Sequence, residues 1–187
     1  MRKTLAFLTL PLLAGCLSST MPAVSHWPLD YVGGEKPAFK ATYGIGRVTQ
    51  VTVRTPYNAE GLAVLRADGT TELDPYNEFV AVPSALLKGV VFDALEASGR
   101  FTTVVNASST VAASTSVEVL VTRLALDCRT EGERKATANV VVRLLRNGEI
   151  RGIEKGAADE DAADGNDGRA FSKAVSTALS VALGQFK

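Results

Sequence analysis

The sequence predicts an α+β domain, one antiparallel or mixed sheet with two amphipathic helices on one face. Three features carry that expectation. In two separate stretches apolar residues recur at spacings of three and four, as on one side of a helix. In several others they alternate with polar residues, as on one side of a strand. Two dipeptides, Asp68-Gly69 and Asn147-Gly148, stand between alternating stretches and favour two-residue hairpins.

Taken in order, Ile45, Val51 and Val53 share one face of an extended segment that breaks at Pro56. A second strand, Leu62 to Arg66, runs into Asp68-Gly69, and its return arm covers Thr70 to Leu73. Near Pro83 the period changes. Leu86, Leu87, Val90, Val91, Ala94 and Leu95 form a helical stripe that closes at Ser98-Gly99, with Ser84 or the residue before Pro83 as its amino-terminal cap. Phe101 to Val105 reads as a short buried strand, and a Ser/Thr/Ala-rich loop leads to a long apolar strand over Ser116 to Leu126. From Arg134 to Arg146, Ala136, Ala138, Val140, Val142 and Leu144 point inward, while Thr137, Asn139 and Arg143 point outward. Asn147-Gly148 turns that strand back through Glu149 to about Lys155. A last helix, from about Gly168 to Phe186, carries the stripe Phe171, Ala174, Val175, Ala178, Ala182 and Phe186, whose alanines allow close approach to a sheet. The order is three strands, a helix, about four strands and a helix.

Ahead of this domain stands a leader. Arg2 and Lys3 precede an apolar run of about nine residues, Leu5 to Leu13. That is far short of the roughly 20 needed to span a bilayer, and it suits a signal peptide. The run ends in Leu13-Ala14-Gly15-Cys16, which resembles the lipobox of bacterial lipoproteins. Leu13, Ala14 and Gly15 would be read by the signal peptidase, and the Cys16 thiol would accept diacylglycerol, so that Cys16 carries covalent diacylglycerol and palmitate. The resemblance implies two or three acyl chains, enough for lasting attachment. Leu17, where an aspartate would favour inner-membrane retention, favours the periplasmic face of the outer membrane. The expected division is a signal peptide over 1–15, the lipidated cysteine and a flexible tether over 16–40, and the folded domain over 41–187. Pro22, Pro28, Pro37 and Gly33-Gly34 argue against regular structure in the tether, although Trp27 and Tyr31 are suited to docking on the domain.

The chain of 187 residues holds 20 basic and 20 acidic residues. Loss of a leader carrying Arg2 and Lys3 leaves it slightly acidic, with no electrostatic case for nucleic acid. Cys128 is the cysteine left after processing, so no internal disulfide is expected; it reads as a buried spectator thiol. His26, the single histidine, falls in the expected tether as a solvated side chain, which disfavours Ser-His-Asp or Cys-His catalysis and zinc. The run Asp159-Glu160-Asp161 and Asp164 to Asp167 reads as a flexible acidic loop, its spacing unlike a calcium loop; part of it suits the start of the last helix. No phosphate loop is present. The sequence therefore predicts no catalytic residue, no metal and no cofactor beyond the lipid on Cys16.

Three stretches together resemble the ABC-type transport auxiliary lipoprotein family: Val48 to Tyr57, Tyr76 to Phe101, and Val140 to Gly148 followed by the Ala-rich helix. In place of the tryptophan that many members carry before the proline, this sequence has Phe79 and Val80, and its acidic run at Asp159 to Asp167 is longer. The resemblance implies a non-catalytic auxiliary subunit, docked within an envelope lipid transport system alongside periplasmic MCE-domain proteins and an inner-membrane component. Self-association is left open. Tyr76 and Phe79, like exposed sheet edges, are candidate partner contacts, since aromatic residues are favoured at interfaces. The alternative is a periplasmic lipoprotein that itself binds a small apolar ligand or lipid in a pocket between helices and sheet.

Overall fold

The computed structural model describes residues 23–33, 43–163 and 165–187. In chain order these form β1 (Ser25–Trp27), β2 (Ile45–Val53), β3 (Gly61–Arg66), β4 (Thr71–Phe79), α1 (Pro83–Ala97), β5 (Thr103–Val105), β6 (Thr115–Cys128), β7 (Lys135–Arg146), β8 (Glu149–Asp161) and α2 (Asp167–Gln185). The eight strands make one mixed, open sheet, as the sequence predicts. Leu13 to Cys16, the signal peptide and most of the expected tether lie outside the described residues.

β6 is the spine. Along one edge it pairs antiparallel with β7; the other edge is shared end to end by two parallel strands, β2 against Thr115–Val121 and β3 against Leu126–Cys128. Between them the chain leaves the sheet after the Arg54 N–H donates to the Val121 carbonyl at 2.9 Å. β4 pairs antiparallel with β3, β1 parallel with β4, β5 parallel with β2, and β8 antiparallel with β7. Asn147 and Gly148 both have positive φ (54° and 76°) at the β7–β8 turn, the backbone that a two-residue hairpin requires.

α1 lies on β2 and β5, and α2 on β7 and β8. The predicted stripe of α1 is buried at Leu87, Val90, Val91, Ala94 and Leu95, with Leu86 partly covered. Its cap differs from expectation. Neither Ser84 nor Val82 caps by its side chain; the Ser84 N–H instead donates to Asn58 Oδ1 at 2.9 Å, from the loop after β2. Every residue of the predicted α2 stripe is buried, with Leu179 and Leu183 beside it. Gly156 of β8 makes the close approach work: a Cβ there would stand 1.8 Å from the Ala178 carbonyl oxygen. Asp167, 2% exposed, sits at the α2 amino terminus and accepts from Arg134 Nη2 at 2.7 Å. At the other end Arg100 Nη2 donates to the Gly184 carbonyl at 2.9 Å. Both charges oppose the helix dipole correctly.

Three boundaries are corrected. β8 runs to Asp161 rather than about Lys155, so Asp159, Glu160 and Asp161 belong to a strand and not to a flexible loop. Glu160 pairs with Lys173 Nζ at 2.6 Å. β7, paired with β8 as far as Lys135↔Asp161, sets that length. β4 continues to Phe79, passing Pro75 by a shift in register between Gly61 and Ala63 of β3. Part of the stretch expected as a flexible tether is folded: β1 joins β4, Leu29 is buried, and the N–H groups of Asp30 and Val32 donate to Ser172 and Ser176 Oγ at 3.1 and 2.9 Å. Trp27 and Tyr31 pack against the core, Trp27 over Gly168. Prolines exclude a helix here. They do not exclude three residues of edge strand.

Candidate functional site

Of the predicted partner-binding pair, the structure separates the two members. β4 alternates, so Tyr76 and Phe79 leave the strand on different sides. Tyr76 is 48% exposed; Phe79 is 2% exposed and stacks edge-on against Phe171 of α2, ring centroids 5.4 Å apart. Phe79 is therefore a core residue, which corrects its assignment to a partner surface. Its ring is spent on packing the second helix.

Tyr76 lies at the β1–β4 edge. One step before the Ser25↔Asn77 pair stand Val24 and Tyr76, both exposed, and Val80 is exposed just after Phe79. His26 is in β1, not in a free linker; it pairs in register with Glu78, its Nε2 3.7 Å from Glu78 Oε2. Trp27 Nε1 donates to Asn77 Oδ1 at 3.2 Å, pinning β1 to β4. This edge can offer apolar contact and two strands' worth of polar side chains.

Cys128 closes β6, half covered, and burial pushes its thiol above the ordinary range despite Arg134 and Arg66 nearby. It is held as the thiol rather than the reactive thiolate. Beside it the Arg129 guanidinium holds the Asp127 carboxyl below the usual range, Nη2 to Oδ2 2.6 Å. No group of three or more His, Cys, Asp and Glu among the described residues is placed to hold a metal ion. No helix among them is long and apolar enough to cross a membrane.

The alternative reading expects a pocket between helices and sheet, though the sequence does not single out most of its lining. A cavity of about 480 Å³ opens between α1 and β2, walled by Val48, Val51, Phe92 and Ala107, with Lys88 as its charged side chain. At its floor β2 carries a bulge: register shifts between Val48 and Gln50, so Thr49 and Gln50 both turn out of the core, and Thr49 Oγ1 donates to the Val117 carbonyl at 3.1 Å. Period-two reading of β2 places Val51 and Val53 correctly but cannot register an inserted residue.

No protein-family profile matches the sequence, and no curated protein matches it. Solved structures do. The crystal structure of a Xanthomonas campestris protein assigned to family DUF330 superposes with a TM-score of 0.68 at 14% identity, over 87% of this chain and 97% of that one. An uncharacterized protein matches with a TM-score of 0.53 at 13% identity, over 78% and 90%. A candidate lipoprotein from Caulobacter crescentus overlaps at a TM-score of 0.33 and 18% identity, over 55% and 84%. At these identities the likeness to the first two is one of fold.

Proposed function

We propose that the protein is a non-catalytic, membrane-anchored docking subunit of an ABC- and MCE-type envelope lipid transport system. Acyl chains on Cys16 hold it to the periplasmic face of the outer membrane, and its partners are periplasmic MCE-domain proteins and their inner-membrane component. The observation that supports this reading is where the family-like stretches fall. Val48 to Tyr57 is most of β2 and its exit, Tyr76 to Phe101 is the end of β4 with all of α1, and Val140 to Gly148 is half of β7 with its hairpin, ahead of α2. All three build one frame, and none gathers reactive side chains. A frame on a lipid anchor holds other proteins in place.

Purification from detergent-solubilised membranes tests it. An MCE-domain protein is expected to co-purify with the wild type, and Cys16→Ala is expected to lose both palmitate incorporation and membrane attachment. Lipid recovered from the purified domain with no protein partner would favour the ligand-binding alternative. Equal palmitate labelling of wild type and variant would sink the anchor.

A further inference from the structure

We infer that the groove between β2 and α1 receives an extended peptide segment, which adds to the sheet as a strand beside Val48–Val53 and sets a carboxylate against Lys88. The inference stands apart from the transport role and needs only the geometry of this edge.

β5 pairs with Ile45–Arg47 of β2 and stops. The chain then turns away at Asn106, whose carbonyl accepts the Ser109 N–H at 3.2 Å and whose Oδ1 accepts from Ser108 Oγ at 2.9 Å. From Val48 onward β2 has β6 on one side and, among the described residues, no strand on the other. The space that β5 would fill by continuing is the cavity under α1.

The other edges of the sheet are guarded. β1 is three residues long and carries the His26–Glu78 pair alongside it. β8 bears Glu149, Arg151, Glu154, Lys155, Asp159, Glu160 and Asp161. Short length and charge are the ordinary ways to stop an edge from pairing. The sequence Val48 to Val53 has neither, nor a proline; its one irregularity is the bulge at Thr49 and Gln50, which leaves Gln50 to Val53 as the regular stretch for pairing.

The exposed edge also decides between occupants. Backbone N–H and C=O groups facing the groove need partners. An acyl chain offers none, whereas an extended peptide supplies them in register, with alternate side chains for the pockets. Small apolar side chains suit the wall of Val48, Val51 and Phe92, and the Lys88 ammonium calls for an acidic side chain or a terminal carboxylate.

The test pans a library of random octapeptides against the detergent-solubilised full chain. Enriched sequences are expected to be proline-free, alternating and acidic at one position. Their affinity is expected to fall at least tenfold in Lys88→Glu and in Phe92→Ala, with circular dichroism unchanged, and bound peptide is expected to slow amide exchange over residues 48–53. The proposal is overturned if no peptide is enriched, or if enriched peptides bind Lys88→Glu as tightly as wild type. It is equally overturned if cis-parinaric acid fills the groove in a Phe92-dependent manner and no peptide does.

Discussion

Where α2 crosses β7 and β8, helix and sheet meet at backbone distance at Gly156 and Ala178, and Gly152 makes room for the Phe186 ring just past the helix end. Charges sit at both helix ends, and the segment around Asp30 lies over Ser172 and Ser176. Where α1 crosses β2, the same architecture is looser. Its first turn borrows a cap from Asn58, a bulge displaces Thr49, and a cavity of about 480 Å³ opens beside the contact between helix and strand. The lesson is a division of labour within one sheet. One side is closed by small residues and supplies rigidity; the other keeps a strand edge accessible because three residues of β5 do not cover it.

The largest effect that sharpens this comparison is expected from Phe79→Ala, which removes the ring packed on Phe171. It should cost roughly 3–5 kcal/mol, while exposed Tyr76→Ala should stay within about 0.5 kcal/mol; urea denaturation of the domain measures both. Similar small losses would return Phe79 to the surface. Next comes one substitution made on both sides. Gly156→Ala drives a methyl into α2 and should destabilise by roughly 1–3 kcal/mol. Gly89→Ala in α1 meets nothing within 4 Å and should stabilise by roughly 0.5–1 kcal/mol. Losses of equal size would mean that α1 is packed as tightly as α2. Removing the hydroxyls at Ser172 and Ser176 should cost about 1 kcal/mol each and speed amide exchange at Asp30 and Val32 without loosening β7. The smallest effect is acid sensitivity at Asp127. Its carboxyl is held low by Arg129 in the folded state, so its contribution is present above the unfolded value of about 3.9 and is lost as pH falls through the folded one. Asp127→Asn should flatten that loss slightly in denaturation curves between pH 5 and pH 2, approximately the window set by this shift.

Local periodicity made much of this fold legible. Leu87 to Leu95, Phe171 to Phe186 and the Asn147-Gly148 turn are each decided by neighbours within a few residues, and the structure places them as expected. The errors share a different origin. β1 exists because β4, about 50 positions away, offers an edge, and no composition rule for Pro28 or Gly33 carries that information. Gly156, Ala157 and Ala158 are poor strand formers, yet β7 holds them in β8, and α2 requires Gly156 to be small. Phe79 suits a surface only if its strand ends at Leu73, and β4 continues to Phe79. The position of the groove at β2 is hidden from the sequence for a related reason: it is made by where β5 stops, which is a fact about a partner strand. Leu13 to Cys16, the most explicit motif in the chain, lies outside the described residues.

The docking of β1 sets a radius. On the proposed lipid anchor, the eight residues between Cys16 and Ser25 reach about 30 Å at full stretch. A first contact with the domain at Tyr43 would allow about 90 Å by the same measure. On that proposal, pairing β1 with β4 and seating Asp30 and Val32 on α2 shortens the reach by about two thirds and brings the β1–β4 edge, with Tyr76, to the membrane side of the domain.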